Sequence, residues 1–387
     1  MRVIIAGCGV ISPVGRGFEL FTEGLLAGKC GIHLEQMEGL QRIPVARVVD
    51  FQTVPGEDRS ISLLRPCLAE LASVFEALNA FIPPQERGAF AATSKGGVLQ
   101  ELLISGSART NFPSLWACAI STFLAQETNA QGPVGSYVGA CATGLANIIR
   151  AARSVQAGEC AYAVAGSSEA TLHSAYIASF LNLNAYSQQG SFPFDVRHNG
   201  FVAGEGAAVL VLTTPENAEK AGLTPVAEIV SWAEGADAYH PVGIDLSGEV
   251  IATVGEKAWQ RAGKPLIQAI SCHGTATPAN DCAEAAAIKS LQNKWNQHSL
   301  YCHSLKGATG HLMGAAGSVE SVSVISMLNR QEIPLTVGLI TAAPECSHLR
   351  FPCLTQPQPL VHILKWSFGF GGHIAGVIFK AWNKSSG

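Results

Sequence analysis

The chain has little charge and no long hydrophobic run. Only 14% of its 387 residues are Asp, Glu, Lys or Arg, whereas 48% are hydrophobic, and the formal net charge is −4. A weakly acidic chain gives no support for nucleic acid or an anionic membrane as its main partner. Glycines, prolines and charges interrupt every apolar stretch before it reaches the roughly 18–20 residues that span a bilayer. We therefore expect a cytoplasmic protein without a membrane span, whose large core is extended by a subunit interface.

The cysteines also lack a recognisable framework. None of the eleven is part of a C-x-x-C motif, and no close pairs repeat along the chain. Cys272, Cys282 and Cys302 lie in a region that also contains His273 and His303, but their spacing is not that of a structural zinc site. The pattern predicts reduced, mostly buried thiols and no metal.

Strand and helix patterns alternate along the whole chain. A β-branched run at 2–6 predicts a first strand that turns at glycines, and the apolar spacing at 61–81 predicts a helix. The composition becomes polar and Pro-bearing at 213–225, which is the best place to divide the chain. We predict an α/β fold of two similar halves, 1–215 and 216–387, packed sheet to sheet with helices between and outside.

Residues 134–155 (VGSYVGACATGLANIIRAARSV) are the stretch most suggestive of chemistry. The pattern predicts a buried strand, an elbow bounded by Gly139 and Gly144, and a helix that begins near Cys141. Unpaired amides and the dipole at a helix N-terminus favour negative charge, which lowers a thiol pKa by about one unit. The segment thus predicts an activated nucleophile, although by itself it also fits a small buried structural cysteine.

Two further glycine-rich loops follow predicted strands in the second half. His273 lies in HGTATPAND, and Lys306 and His311 lie in LKGATGH. One histidine would suffice for simple hydrolysis. A nucleophile with two imidazoles suits acyl chemistry in which a thioester forms and an enolate must then be stabilised.

The motifs GACATG, PFDVRHNGFVAGEGAAVLVL, HGTATPAND, LKGATGHLMGAAG and SFGFGGH occur in one order over nearly the whole chain. In this the sequence resembles the β-ketoacyl-acyl-carrier-protein synthases, decarboxylating condensing enzymes of the thiolase superfamily. The resemblance implies a thiolase-like α-β-α-β-α sandwich. It also implies decarboxylative Claisen condensation of an acyl-Cys141 thioester with malonyl-acyl carrier protein, in fatty-acid, polyketide or polyene synthesis. No cofactor is implied beyond the phosphopantetheine arm of the carrier protein.

The resemblance also assigns roles to catalytic residues. Cys141 matches the nucleophile, and its amide matches one donor of the acyl oxyanion hole. His273 and His311 match the pair that promotes malonyl decarboxylation and stabilises the enolate. Lys306 matches the family's lysine, and Glu284 matches the carboxylate that pairs with that lysine.

Substrate-binding positions are implied in the same way. Phe370 matches the residue whose amide completes the oxyanion hole with Cys141, and Phe201 matches a phenylalanine near the malonyl pocket. Thr275 and Thr277 match threonines that hydrogen-bond the phosphopantetheine arm. An ordinary core aromatic is the alternative for Phe201.

Some positions depart from the family's pattern. Trp366 and Ile374 occupy two positions that are usually Asn, so the support of the active-site loop is in question. The segments 31–88 and 97–133 are shorter than usual, and in the family they contribute to the cap over the acyl channel and to the dimer contact. A specialised enzyme is therefore plausible, as a homodimer or as a heterodimer with a subunit that resembles a chain-length factor.

Three alternatives remain at this stage. The chain could itself be a largely non-catalytic partner of the chain-length-factor type, although such proteins usually lack the nucleophilic cysteine. It could be a thiolase-like acyl-transferring enzyme without a decarboxylation step. A nicotinamide-dependent enzyme would depend on Gly7-x-Gly9 alone, and Ser12 stands where that fingerprint requires Gly or Ala.

Overall fold

The computed structural model describes residues 1–95 and 116–382. The strands are β1 Val3–Ser12, β2 Gly15–Arg16, β3 His33–Gln36, β4 Arg42–Val45, β5 Arg87–Ala92, β6 Val134–Gly135, β7 Tyr162–Glu169, β8 Gly206–Thr213, β9 Ala227–Ala236, β10 Ala269–Ser271, β11 Tyr301–His303, β12 Glu332–Ile333, β13 Gln356–Pro357, β14 His362–Gly369 and β15 His373–Lys380. The helices are α1 Phe18–Leu26, α2 Arg59–Ser62, α3 Leu64–Glu70, α4 Ala72–Asn79, α5 Ala119–Thr128, α6 Thr143–Ala157, α7 Ser174–Asn182, α8 Pro215–Lys220, α9 Glu249–Arg261, α10 Pro278–Trp295, α11 Lys306–Thr309 and α12 Ala316–Arg330.

The two halves of the chain build the same strand pattern. In the first half the order is β1-β8-β7-β5-β6, and in the second it is β9-β15-β14-β10-β11. In each half the first three strands pair antiparallel with their neighbours, and the last three are parallel. A short antiparallel pairing of residues 3–5 with 227–229 connects the two sheets edge to edge. The architecture is therefore an internal duplication, as the alternation of strand and helix patterns predicts.

Helices α6 and α12 form the central layer of the molecule. Each contacts strands of both halves, and the two helices contact each other. Helix α12 has no exposed residue before its last turn, as expected for a helix enclosed on all sides. Helices α3 and α5 cover the outer face of the first sheet, and α9 covers the second, with α10 packed beside α9 in the same hydrophobic cluster. The result is the five-layer α-β-α-β-α sandwich that was predicted.

Close contact between α6 and α12 depends on one glycine in each helix. A Cβ atom on Gly317 would lie 2.5 Å from the amide nitrogen of Leu145, and one on Gly144 would lie 2.7 Å from that of Ser318. Both distances are shorter than any van der Waals contact, so only glycine allows the two backbones to approach this closely. Because Cys141 precedes α6 and His311 precedes α12, this crossing sets the separation of the loops that contain these two residues.

Three local predictions from the sequence were wrong. Strand β1 continues through its glycines instead of turning there, because Gly9 packs on helix α3, where a Cβ would lie 2.3 Å from the carbonyl oxygen of Cys67. The region predicted as one helix at 61–81 is divided among α2, α3 and α4. Pro66 lies in the first turn of α3, where its missing amide hydrogen is tolerated, whereas it would interrupt a continuous helix. The strand before Cys141 spans only two residues and is partly exposed.

Within residues 1–95 and 116–382, no helix is both long and apolar enough to cross a membrane. All eleven cysteines are free thiols.

Replacement of Gly317 by Ala should force α6 and α12 apart. We expect Gly317→Ala to lower the free energy of unfolding by about 1–3 kcal/mol, the usual cost of overpacking a rigid core, and to slow any chemistry at Cys141. Urea unfolding followed by circular dichroism measures the stability. Gly376→Ala is the control, because its nearest neighbour would lie at an ordinary 3.5 Å. Equal stabilities of the two variants would contradict the helix-crossing argument.

Candidate active site

A cavity of about 410 Å³ lies where the catalytic loops of the two halves meet. Its volume is in the range of pockets that enclose small organic ligands. The predicted residues that line it are Cys141, Phe201, His273, Thr275, Thr277, His311 and Phe370. Two further predicted residues, Glu284 and Lys306, are fully buried and make hydrogen bonds to His273. The fold thus brings together residues that are up to 229 positions apart in the sequence.

The turn that presents Cys141 differs from the predicted elbow. The residue in the left-handed region is Ala140, with φ of 48°, and neither bounding glycine has a positive φ. A non-glycine residue rarely adopts this conformation, so packing must hold it in place. Gly369 contributes to that packing, because a Cβ there would lie 2.2 Å from the carbonyl oxygen of Gly139 and 3.1 Å from the Cys141 amide nitrogen. The 369–370 segment is therefore tight against the Cys141 backbone.

The second half contains the same turn without a nucleophile. Met313, with φ of 46°, begins a 3₁₀ turn that leads into α12, as Ala140 begins the turn that leads into α6. At the position of Cys141 the second half has Gly314, whose amide donates to buried Glu169. Only one of the two duplicated turns can therefore supply a thiol.

Cys141 and His311 form a pair at hydrogen-bond distance. The Cys141 Sγ atom lies 3.1 Å from Nε2 of His311. Although the sulfur is partly open to the cavity, burial raises the pKa of Cys141 to about 12, and the nearby charges of Lys306 and Lys95 only partly oppose this. Burial and the positive charges of Lys306 and Lys365 lower the pKa of His311 well below its usual value.

The resting pair is consequently a neutral thiol beside a neutral imidazole. The prediction of a modestly lowered thiol pKa was therefore wrong. A helix N-terminus changes a thiol pKa by about one unit, and the effect of burial is larger. A nucleophilic role for Cys141 would therefore require transfer of its proton to His311 during the reaction.

His273 has a defined tautomer. The Nζ atom of Lys306 lies 3.3 Å from Nδ1 of His273 and also donates to the His273 carbonyl oxygen. Since an ammonium group can only donate, Nδ1 accepts and Nε2 carries the proton of the neutral ring. Burial, followed by the charge of Lys306, lowers the pKa of His273 well below its usual value. His273 is thus a neutral N–H donor, and its ring meets that of His311 edge-on at 5.5 Å.

Lys306 pairs with Glu320 and not with Glu284, which corrects the prediction. Lys306 Nζ lies 2.5 Å from one Glu320 oxygen, and Lys365 Nζ lies 2.8 Å from the other. All three groups are buried, so one carboxylate is shared by two ammonium groups. Lys365 also donates to the carbonyl oxygen of Trp366, and burial lowers the pKa of Lys365.

Glu284 organises the His273 loop instead. Its carboxylate accepts hydrogen bonds from the amides of His273 and Gly274, at 2.6 and 2.7 Å. The indole of Trp366 donates to the same carboxylate at 2.5 Å. Burial raises the pKa of Glu284, and these donors oppose the shift. Trp366, at a position where the family usually has Asn, therefore provides an N–H donor, and the loop keeps a hydrogen-bonded support.

The other predicted residues surround the cavity. The ring of Phe201 packs edge-on against that of His311, with centroids 5.2 Å apart. The hydroxyl groups of Thr275 and Thr277 are hydrogen-bonded to each other at 2.8 Å. Phe370 is 40% exposed, and Ile374, the second unusual residue, is buried beside it in the cavity wall. The positions agree with the implied roles, which remain predictions.

Sequence reasoning missed Glu320 and Lys365. Each is a lone charge in an apolar or small-residue context, Glu320 in AAGSVESVSVI and Lys365 in LVHILKWSF. An isolated charge in a segment that is otherwise suited to the core usually has a buried partner. That signal could have identified both residues, but not that they share Lys306 as a neighbour.

Removing the Glu320 charge should destabilise the protein strongly. Glu320→Gln leaves two buried ammonium groups without a counter-charge, and we expect a loss of about 3–5 kcal/mol, measured by urea unfolding. The double variant Glu320→Gln/Lys365→Met should recover part of this loss, because one of the two uncompensated charges is gone. Glu234→Gln is the matched control, because Glu234 also pairs with two cations, Arg150 and Arg153, but on a partly exposed surface. There we expect the free energy of unfolding to fall by about 1 kcal/mol or less. Similar losses in Glu320→Gln and Glu234→Gln would contradict the assignment.

The raised pKa of Cys141 predicts the pH dependence of its alkylation. Because the thiolate fraction is small below the pKa, the rate with iodoacetamide should rise about tenfold per pH unit from about pH 6 to 9 without levelling off. Mass spectrometry of the Cys141 peptide measures the rate. The same peptide in the urea-unfolded chain is the control and should level off above about pH 8.5. A plateau near neutral pH in the folded protein would instead show a thiolate activated at rest.

Comparisons with known proteins agree with this geometry. The family model described as beta-ketoacyl synthase, N-terminal domain, matches residues 71–218, and the model for the C-terminal domain matches residues 226–339. A 3-oxoacyl-[acyl-carrier-protein] synthase 2 from Synechocystis is 30% identical over 98% of both chains. A mitochondrial 3-oxoacyl-[acyl-carrier-protein] synthase from Arabidopsis thaliana is 29% identical over 98% of this chain and 93% of its own.

Solved structures show the same fold. A chain from a structure described as a type II PKS acyl-carrier protein in complex with its ketosynthase superposes with a TM-score of 0.90, at 25% identity and with 99% of each chain covered. The ishigamide ketosynthase/chain length factor gives a TM-score of 0.87 at 26% identity, again over 99% of each chain. Together with the site geometry, these similarities establish that the chain belongs to the beta-ketoacyl synthase family.

Proposed function

We propose that this protein condenses an acyl group held on Cys141 with malonyl-acyl carrier protein, with loss of carbon dioxide. The observation that supports this best is one cavity in which a thiol lies 3.1 Å from an imidazole and a second imidazole is held as an N–H donor by a buried lysine. A single-step hydrolase has no need of the second imidazole. The family's curated members, named 3-oxoacyl-[acyl-carrier-protein] synthases, perform this class of reaction.

In the first half-reaction, Cys141 takes the acyl group from a carrier thioester. His311 Nε2 accepts the thiol proton as sulfur attacks the carbonyl carbon, and the amides of Cys141 and Phe370 stabilise the oxyanion. The carrier thiol then leaves with a proton that His311 returns. Because the thiol rests neutral, this proton transfer accompanies the attack.

In the second half-reaction, malonyl thioester loses carbon dioxide and its carbon attacks the acyl-Cys141 carbonyl. The electron pair of the broken C–C bond becomes an enolate whose oxygen accepts a hydrogen bond from Nε2–H of His273. The pKa of both histidines is lowered, so both rings stay neutral at pH 7, and His273, which carries its proton on Nε2, can donate. The Cys141 thiolate leaves as the new C–C bond forms, and it takes a proton from solvent.

The partners we propose are an acyl carrier protein and a second subunit. Thr275 and Thr277, paired at the cavity wall, would hydrogen-bond the phosphopantetheine arm. Next to the Cys141 turn, Val134, Tyr137 and Val138 are 41–48% exposed on the outermost strand of the first sheet and the residues after it. Exposed apolar side chains beside an unpaired strand edge favour a subunit contact, with an identical chain or with one of the chain-length-factor type. We propose that the enzyme works in the cytoplasm.

The retained nucleophile favours a catalytic subunit over a chain-length factor. Cys141 is present with its proton acceptor at bonding distance, and the second half's copy of the turn has Gly314 instead of a thiol. We therefore propose that this chain catalyses condensation itself, with or without a different partner.

Replacement of Cys141 by Ala should abolish condensation. The expected result is no acyl adduct by mass spectrometry and no β-ketoacyl product, because the acyl group has no sulfur to attach to. The control is Cys353→Ala, which removes an exposed thiol outside the cavity and should retain wild-type rates. Release of labelled carbon dioxide from malonyl-acyl carrier protein by the wild type separates condensation from acyl transfer without decarboxylation.

Elongation at the wild-type rate by Cys141→Ala would refute the nucleophile assignment. A wild-type chain that is inactive alone but active with a co-purified second subunit would support the heterodimer. A wild-type chain that shows no adduct at all with any partner would support the non-catalytic alternative.

A further inference from the structure

Lys95 is a cation in the wall of the cavity that the proposed mechanism does not use. It is exposed and lines the same cavity as Cys141, together with Phe180, Leu183 and Ile244. We propose that Lys95 binds a carboxylate at the far end of the acyl chain, so that the preferred acyl donors are thioesters with a distal anionic group. This inference rests on the proposed function, because it specifies the substrate of the same site.

A row of aromatic contacts places Lys95 beyond the reacting groups. The ring centroids of His311 and Phe201 lie 5.2 Å apart, and those of Phe201 and Phe180 lie 5.0 Å apart. The Lys95 Nζ atom lies over the Phe180 ring, 5.9 Å from its centroid. An acyl chain attached to Cys141 and extended along these rings would therefore bring its far end to the ammonium group.

No carboxylate in the described part of the chain neutralises Lys95. None of the ion pairs in residues 1–95 and 116–382 involves it. The nearby carboxylate of Glu169 is buried, and it accepts from Thr93, Ser94 and Gly314. The positive charge of Lys95 also acts on Cys141, because it favours the thiolate form and so opposes the rise in the pKa of Cys141 that burial causes. Among the described residues, Lys95 is thus a cation in the cavity wall without an ion-pair partner, since Asp237, the carboxylate residue of the same wall, forms no ion pair with it.

Such a cation discriminates between chain ends. A methyl terminus that fills this end of the cavity would remove water from the ammonium group and give nothing in exchange, which is unfavourable. A carboxylate would replace the lost water with a charge-assisted hydrogen bond. Selectivity of this type comes as much from rejection of the wrong substrate as from attraction of the right one.

The test is a competition for Cys141 between matched pantetheine thioesters. The pairs are adipoyl and hexanoyl, suberoyl and octanoyl, and sebacoyl and decanoyl, which differ only in the terminal carboxylate. Mass spectrometry of the Cys141 peptide measures the ratio of acylation rates within each pair. A ratio is used because any general effect of Lys95 on the thiol cancels.

In the wild type, we expect the carboxylate-ended donor of at least one pair to react about tenfold faster. Lys95→Met, which keeps the length of the side chain but not its charge, should remove or reverse that preference, and Lys95→Arg should retain it. Lys220→Met is the matched control, because Lys220 also lies over a phenylalanine ring, that of Phe81, but outside the cavity. It should leave every ratio unchanged.

The outcomes separate the two proposals. Acylation of Cys141 with the same ratios in the wild type and in Lys95→Met overturns the role of Lys95 and leaves the condensing function intact. Absence of acylation by every donor in the wild type, with or without a partner subunit, overturns both. A preference for methyl-ended donors in the wild type also overturns the role of Lys95.

Discussion

The buried ammonium group of Lys306 is the constraint on which the active site depends. Burying an ammonium group away from water costs free energy unless the group is paired and hydrogen-bonded. Here the Glu320 carboxylate and the His273 carbonyl oxygen accept hydrogen bonds from Lys306. The same group donates toward Nδ1 of His273, so satisfying the lysine also decides which ring nitrogen carries the proton. Burial, together with the charges of Lys306 and Lys365, lowers the pKa of His273 and of His311 and keeps both rings neutral. Stability and reactivity therefore share one network, and a change at Glu320 should affect both.

A neutral resting pair has consequences for selectivity. A thiol whose pKa is raised by burial reacts slowly with adventitious electrophiles, because the nucleophilic thiolate is scarce. In the proposed mechanism it reacts when a carbonyl group lies beside it and His311 takes the proton during attack. The site thus depends more on positioning of the acyl donor than on a permanently activated sulfur.

The internal duplication explains why the site is asymmetric. Both halves provide a left-handed residue, a 3₁₀ turn and a central helix, and the helices cross at Gly144 and Gly317. One turn has Cys141, while the other has Gly314, which donates a hydrogen bond to Glu169. The imidazoles come only from loops of the second half. In the proposed mechanism, one architecture that is used twice therefore supplies the nucleophile from the first half and the imidazoles from the second.

The sequence by itself determined the α/β alternation, the two similar halves, the motifs around Cys141, His273 and His311, and their likeness to one family, because these are local patterns of residue type and spacing. It did not determine the partner of Lys306, because Glu284 and Glu320 each lie on a helix that follows one of the glycine-rich loops. Only the packing of those helices places the Glu320 carboxylate against Lys306 and the Glu284 carboxylate against the amide of His273. Nor could it give the pKa of Cys141, since a helix terminus is visible in sequence but the depth of burial is not. Burial and long-range pairing are properties of the tertiary structure, and here they decided the charge state of the site.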